Sequence, residues 1–288
     1  KVGSSESFIA ANRRYLDEDS GKVIISTQLN ILEDPLVGVI QFVDDKNKVV
    51  ASMVNYASHP VSLGPQNTLI SPDYVGKTRE TIEKEWGGIC LFLNGAAGDI
   101  NPRGQSSSDL SNPENLGLSL GKSVLESAFS NMTLESVKLA NGSINIPIKI
   151  QEISAKFIQT EVKRKKEIQT GFMGWEKKID QWALAQKRRL GPSETLGRNM
   201  EISVLRMGTI IMVFSPGELF SSYHRTLRKQ FPEYQLFLFG YINGESGYLP
   251  DKKAFELGGY EVEQAYIFFN EPSVLDSTSA ELFSKKIA

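Results

Sequence analysis

The sequence has little of several features that point to particular classes of protein. Cys90 is the only cysteine among 288 residues, so an intrachain disulfide is excluded. It lies in the apolar run 89–93, where we expect a buried structural thiol rather than a reactive one. No apolar stretch of about 18 residues occurs, so the sequence predicts no transmembrane helix.

The sequence also has no large excess of charge of either sign. The formal net charge is −2, which gives no field strong enough to indicate nucleic acid or an acidic membrane as a partner. The basic run 163–166 is interleaved with acidic residues, which favours the solvated face of a helix. Trp175 and Trp182 are seven residues apart, two helical turns, and this spacing indicates a packing stripe.

Strand-like and helix-like segments alternate along the whole chain. This alternation predicts a layered α/β domain, with a mixed β-sheet flanked by helices, over residues 1–288. The segments 37–43 and 49–56 flank a polar turn and predict a β-hairpin. The all-apolar run 89–93 predicts a central strand covered on both faces. Helices are expected over the segments 71–86, 112–130 and 218–231 and within 151–190.

Three loops that follow apolar strands end in polar residues of catalytic type. They are residues 55–60, 94–102 and 215–218. In open α/β sheets, ligands collect at the carboxyl ends of strands, so we expect the loops to share one crevice, with glycine N–H groups facing an anion. Taken singly, His59 before a proline is more typical of a structural residue, and Glu218 of a carboxylate in a first helical turn.

The order of several short motifs carries more information than any one of them. They are residues 9–14, 55–60, 71–76, 98–102, 216–218, 247–248 and 259–261. This ordered set resembles the catalytic domain of the neutral/alkaline, non-lysosomal ceramidase family and its bacterial relatives, over nearly all of residues 5–265. The twelve-residue spacing from Tyr248 to Tyr260 is part of the resemblance.

The resemblance implies a zinc site and a reaction. In that family two histidines, a glutamate and a tyrosine hold zinc, and His59, Glu218 and Tyr248 match three of these ligands. Arg13 and Tyr260 match residues that line the active site. Imidazole and carboxylate suit Zn²⁺, which activates water for hydrolysis. The implied substrate is a small-molecule amide or a lipid-like compound.

Two departures from the family pattern change these expectations. The family's first zinc histidine belongs to an upstream His-x-His motif, and no histidine precedes Arg13. We therefore expect a further ligand and an N-terminal part of the domain before Lys1, and an apolar sheet edge exposed without it. His224, about 240° around the predicted helix from Glu218, does not replace that ligand. The family's C-terminal immunoglobulin-like domain is also absent from the sequence.

The second departure is Asn101, which stands where the ceramidases carry a catalytic serine. Asparagine can donate a hydrogen bond but supplies no hydroxyl, so we do not expect long-chain ceramide as the substrate. Two hypotheses follow: a zinc-dependent hydrolase of amide-type bonds, or a non-catalytic member of the fold that binds a lipid or sugar-like ligand. A serine hydrolase is disfavoured because no Gly-x-Ser-x-Gly elbow occurs.

Overall fold

The computed structural model describes residues 1–26, 34–130, 137–151, 153–168, 174–190 and 197–287. Within them, the strands form several sheets flanked by helices, which confirms the predicted mixed α/β architecture, although six strands precede the first helix instead of alternating with helices. The strands are β1 Val2–Glu6, β2 Ala10–Asn12, β3 Arg14–Asp17, β4 Lys22–Ile25, β5 Leu36–Val43, β6 Val49–Tyr56, β7 Ile89–Asn94, β8 Ile100–Pro102, β9 Ala128–Ser130, β10 Leu139–Lys149, β11 Gly197–Met207, β12 Ile210–Phe214, β13 Glu218–Leu219, β14 Gln235–Phe239 and β15 Tyr248–Leu249. The helices are α1 Asp73–Trp86, α2 Ser111–Leu125, α3 Ala155–Lys166, α4 Trp175–Arg189, α5 Ser221–Gln230, α6 Lys252–Leu257, α7 Tyr260–Glu263 and α8 Thr278–Ile287.

The first sheet has five strands in the order β7-β6-β5-β1-β9. The predicted hairpin is confirmed, because β5 and β6 pair antiparallel. Beyond it, β7 runs parallel to β6. Helices α1 and α2 cover one face, where Tyr74, Ile82 and Leu120 are fully buried. The polar turn between two strand-like segments was therefore enough to predict the β5–β6 hairpin.

Strand β7 lies at the edge of this sheet, so the prediction of a central strand covered on both faces is wrong. Successive side chains on a strand point to opposite faces. Cys90 faces the helices and is buried, whereas Ile89 is 61% exposed and Leu91 47% exposed. Among the described residues no strand pairs with the outer side of β7. The outer side of β7 is thus an apolar sheet edge that no described strand covers. Burial raises the pKa of the Cys90 thiol to about 11, in keeping with a structural role.

The second sheet has the order β10-β11-β12-β14. Its first three strands form an antiparallel meander, and β14 adds to β12 in parallel. The two sheets pack face to face through a core that contains Ile40, Met212, Phe237 and Phe239. The β6, β7, β12 and β14 strands consequently end near one another, and this is where the candidate site lies.

Three helix boundaries differ from the prediction. Helix α2 ends at Leu125, because Ala128–Ser130 forms β9 and pairs with β1. Helix α1 begins at Asp73, and the backbone N–H of Asp73 donates a hydrogen bond to the Ser71 hydroxyl at 3.0 Å. Most important for the site, Glu218 is not helical. It lies in β13, which pairs in parallel with β15, and α5 begins only at Ser221.

The charged helical region separates into α3 and α4. Trp175 and Trp182 are buried in one apolar cluster, which confirms the packing stripe. Lys165 corrects the interpretation of the basic run as wholly solvated: its side chain is fully buried, and its ammonium donates to the Glu263 backbone carbonyl. No helix in the described part of the chain is long and apolar enough to span a membrane.

Candidate functional site

The three polar loops converge, as predicted. The backbone N–H of His59 donates to Ile100 O at 3.1 Å, and that of Gly98 donates to Leu219 O at 2.8 Å. Gly98 permits this approach, because a Cβ there would lie 2.7 Å from Glu218 O. The Gly95 and Gly98 N–H groups donate to backbone carbonyls, so the expectation that they face an anion is wrong.

The orientation of the His59 ring is set by a backbone carbonyl of the 94–102 loop. The residue is 8% exposed, and its Nδ1–H donates to Ile100 O at 3.0 Å. A histidine that donates through Nδ1 carries its lone pair on Nε2 when the ring is neutral. Metal-binding histidines are commonly oriented by such a bond to a backbone carbonyl. The loop therefore presents Nε2 of His59 to Glu218, either as a protonated donor or, without that proton, as a ligand atom.

Oxygen atoms of Glu218, Tyr248 and Tyr241 surround this nitrogen. Glu218 Oε2 lies 2.5 Å from His59 Nε2, Tyr248 OH lies 3.3 Å from it, and Tyr241 OH 3.4 Å. Tyr241 also donates to Glu218 Oε2 at 3.0 Å. The structure thus brings together the three predicted metal ligands and one tyrosine that the sequence analysis did not select.

The charge state of Glu218 follows from its surroundings. Burial alone would raise the pKa of Glu218, but the hydrogen bond and charge of His59, together with Tyr248 and Arg13, lower it overall. Burial raises the pKa of Tyr248, and Glu218 adds to burial in raising that of Tyr241. The cluster therefore holds an ionised carboxylate between phenol groups that are neutral in the absence of a bound cation.

Arg13 is held beside this cluster by a buried ion pair. It is 4% exposed; its Nε donates to Glu261 Oε1 at 2.9 Å, and Nη2 lies 2.8 Å from the same oxygen. Its Cζ lies 5.2 Å from the ring centroid of Tyr248 and 5.9 Å from that of Tyr260. Burial opposes the charge of Arg13, but Glu261 and Tyr248 raise its pKa overall, so the guanidinium stays charged.

The side chain of Asn101 contacts Arg13. Strand β8 carries it beside β2, opposite Ala11. Its Oδ1 accepts from Arg13 Nη1 at 3.3 Å, and its Nδ2 donates to Gln105 Oε1. The carboxamide is thus bonded at both ends, and it positions the guanidinium.

Tyr260 lies at the start of α7, with its ring edge against Tyr248 at a centroid distance of 5.8 Å. Burial raises the pKa of Tyr260 to about 12, so it is a neutral phenol near pH 7.

His224 lies outside the site, as predicted, although for a different reason. Because Glu218 is not helical, the angular argument does not apply. Instead, His224 Nδ1 pairs with Asp34 Oδ2 at 3.2 Å, and Nε2 is bonded to Leu236 O at 3.1 Å. Both ring nitrogens are therefore engaged elsewhere.

Sequence reasoning missed Tyr241 and gave Glu261 no role. Tyr241 lies two residues after the end of β14, so the rule that located the other loops would have located it as well. Glu261 was part of a quoted motif, but its pairing with Arg13 spans 248 positions along the chain. No short-range pattern in the sequence indicates a partner at that distance.

The residues fit a metal ion by the chemistry of their donor atoms. A neutral imidazole nitrogen and a carboxylate oxygen are ordinary zinc ligands, and two ligand atoms of a tetrahedral ion lie about 3.3 Å apart. The phenol oxygens of Tyr248 and Tyr241 are at that separation from His59 Nε2. Among the described residues, no group of three or more His, Cys, Asp or Glu side chains could hold a metal. Tyrosine oxygens would have to supply the remaining donors.

Comparisons with known proteins bear on the fold. No protein-family model and no curated protein matches the sequence. Among solved structures, neutral ceramidase from Pseudomonas aeruginosa aligns with a TM-score of 0.62 and 14% identity, covering 99% of this chain and 50% of that one. A structure described as ceramidase complexed with C2 gives a TM-score of 0.63 and 16% identity, with 99% and 51% covered. The chain spans about half the length of both and is a fold relative of the neutral ceramidases.

Proposed function

We propose that the chain is a zinc-dependent hydrolase of amide-type bonds, with His59, Glu218 and Tyr248 as ligands of the metal. One observation carries the proposal. His59 Nε2 lies 2.5 Å from the ionised carboxylate oxygen Glu218 Oε2 and 3.3 Å from Tyr248 OH, so an imidazole nitrogen, a carboxylate oxygen and a phenol oxygen converge. A proton on Nε2 joins the first two atoms when no metal is bound, and Zn²⁺, which suits imidazole and carboxylate, would take its place.

The reaction class follows from what surrounds this pair. Zn²⁺ bound by these residues would supply Lewis acidity, which activates water and polarises a carbonyl group. Arg13 is a fixed cation beside Tyr248, and it stabilises the negative charge that develops on an amide oxygen under attack. Glu261 and Asn101 hold the guanidinium in place before the substrate arrives, so little reorganisation is needed in the transition state.

Asn101 supports a substrate other than long-chain ceramide. Its carboxamide has no hydroxyl and is bonded to Arg13 and Gln105. A reaction that needs a serine hydroxyl at this position is therefore not available to the chain. We propose a smaller or more polar amide, bound against Arg13 and hydrolysed by water.

The alternative is a non-catalytic member of the fold that binds a lipid or sugar-like ligand. The shortage of His, Cys, Asp and Glu donors in the described residues favours it, because a site with one histidine and one carboxylate binds zinc weakly unless tyrosines contribute. In that case Tyr248 and Tyr241 serve as neutral hydrogen-bond donors to Glu218 and to a bound ligand.

A panel of amide substrates, tested on the protein with Zn²⁺ and with a chelator, distinguishes the zinc-dependent hydrolase from the non-catalytic binding protein. We expect turnover of a small amide that the chelator abolishes and added Zn²⁺ restores. His59→Ala and Glu218→Gln should abolish it, whereas Glu233→Gln, an exposed matched control, should not change it. Arg13→Gln should lower kcat about 100- to 1000-fold through loss of an oxyanion donor.

Three outcomes would count against parts of this proposal. Turnover that survives both the chelator and His59→Ala would contradict metal catalysis. Absence of turnover across the panel, with a ligand still bound, would favour the binding module. Rapid hydrolysis of long-chain ceramide by the unmutated protein would show that the role assigned to Asn101 is wrong.

A further inference from the structure

Tyr241 has a backbone conformation that is costly for a large side chain. Its φ of 61° lies in the left-handed region, which bulky residues rarely adopt. The conformation is fixed on both sides: the Tyr241 N–H donates to Gly217 O at 3.1 Å, and the Ile242 N–H donates to Ser215 O at 3.0 Å. Such outliers concentrate at functional sites, where the surrounding structure holds them in place.

This backbone conformation determines where the phenol oxygen of Tyr241 lies. Tyr241 OH is 3.0 Å from Glu218 Oε2 and 3.4 Å from His59 Nε2. The side chain is only partly buried, so burial of an aromatic ring does not by itself account for the strained backbone. A hydroxyl at these two distances contacts two of the three predicted protein ligands of the metal at once.

We infer that Tyr241 is a fourth donor of the metal site, an inference that rests on the proposed function. The chain then supplies one nitrogen and three oxygen donors: His59, Glu218, Tyr248 and Tyr241. The separations of Tyr241 OH from Glu218 and from His59 bracket the roughly 3.3 Å expected between two ligands of one tetrahedral ion. The same donor class accommodates other divalent cations that accept imidazole and oxygen ligands, such as Co²⁺.

The test measures metal binding rather than turnover. Zn²⁺ affinity is determined by competition with a coloured chelator for the unmutated protein, Tyr241→Phe, His59→Ala and the control Tyr15→Phe. Tyr15 is 45% exposed on β3 and contributes no donor to the cluster described above. Phenylalanine keeps the ring and removes only the oxygen. We expect Tyr241→Phe to bind Zn²⁺ at least about 10-fold more weakly, and Tyr15→Phe to bind it unchanged.

Co²⁺ absorption distinguishes a ligand from a residue that only orients Glu218. Loss of a ligand changes the coordination of the ion, so the Co²⁺ spectrum of Tyr241→Phe should differ from that of the unmutated protein. Circular dichroism and thermal unfolding of the apo forms check that each variant folds. If Tyr241→Phe does not fold, Tyr241→His, which offers a nitrogen donor, should still bind Zn²⁺ and give its own Co²⁺ spectrum.

The outcomes separate this inference from the proposed function. If His59→Ala abolishes Zn²⁺ binding while Tyr241→Phe leaves affinity and spectrum unchanged, Tyr241 is not a ligand, and the proposed function stands. A weaker affinity with an unchanged Co²⁺ spectrum assigns Tyr241 an orienting role and also overturns the inference. If the unmutated protein binds no Zn²⁺ at all, both fail.

Discussion

Glu261 is the residue whose replacement tests the architecture of the site most sharply. One buried carboxylate balances two guanidinium groups: Arg13 contacts it through Nε and Nη2, and Arg14 donates to its other oxygen. The exposed fractions of the two arginine side chains are 5% and 8%, and that of Glu261 is 1%. Glu261→Gln preserves the shape of the side chain, removes its charge and replaces one of its two acceptor oxygens with an NH2 group.

The expected loss of stability depends on the hydrogen-bond partners that Arg13 and Arg14 keep. Removing one partner of a buried ion pair costs about 3–5 kcal/mol, because the other charge stays buried without compensation. After the substitution, Arg13 keeps Asn101 Oδ1 at 3.3 Å, and Arg14 keeps Gly258 O at 2.6 Å. These neutral acceptors offset part of the loss. We therefore expect the free energy of unfolding to fall by about 4 kcal/mol, which corresponds to a decrease in Tm of roughly 10 °C.

Urea unfolding at pH 7 measures this change, with Glu256→Gln as the matched control. Glu256 is exposed on α6, and surface substitutions of this kind usually change stability by less than about 0.5 kcal/mol. Adding Arg14→Gln to Glu261→Gln should recover part of the loss, because it removes one of the two unpaired cations. A loss below about 1 kcal/mol in the single variant would refute the idea that Glu261 holds Arg13 by charge.

Two further predictions concern the elements that position the site. Gly98→Ala places a methyl group 2.7 Å from Glu218 O and 2.9 Å from the Phe220 ring. We therefore expect the free energy of unfolding, measured in urea, to fall by about 1–3 kcal/mol and Zn²⁺ binding to weaken. An unchanged Zn²⁺ affinity would show that the loops tolerate separation. Burial would raise the pKa of Asp34, but His224 and Arg228 lower it overall. The ionised Asp34 therefore stabilises the fold above its ordinary pKa of 3.8, and this stabilisation is lost as the pH falls through the lowered pKa. Asp34→Asn should therefore cost about 3 kcal/mol at pH 7 and much less near pH 2, and an equal loss at both pH values would contradict this assignment.

The convergence of the loops that carry His59 and Glu218 could be predicted from the residues alone, because both loops follow short apolar segments and the ends of neighbouring strands meet at one edge of a sheet. Tyr248, and the assignment of all three residues as metal ligands, came only from the resemblance to the ceramidase family. What local patterns do not encode is the partner across the fold. The run 89–93 is apolar on both faces, and this pattern is the same for a central strand and for an edge strand. Its position at the edge of the sheet could therefore not be predicted from its residues.

The prediction that Glu218 begins a helix is wrong because of a tertiary contact. Glu218 precedes a helix, but pairing with Tyr248 thirty residues later draws it into a strand. The contact of Asn101 with Arg13 spans 88 positions along the chain and was likewise not indicated by the sequence. Short motifs do not report such tertiary contacts.

The central claim is that a metal ion lies between His59 and Glu218, and anomalous diffraction tests it most directly. Crystals grown with Zn²⁺ should show one anomalous peak at the zinc absorption edge, about 2.0–2.2 Å from His59 Nε2 and from Glu218 Oε2, with the two side chains moved apart from their 2.5 Å contact. A map without a peak there, in which the two side chains keep that contact in the presence of Zn²⁺, would contradict the account.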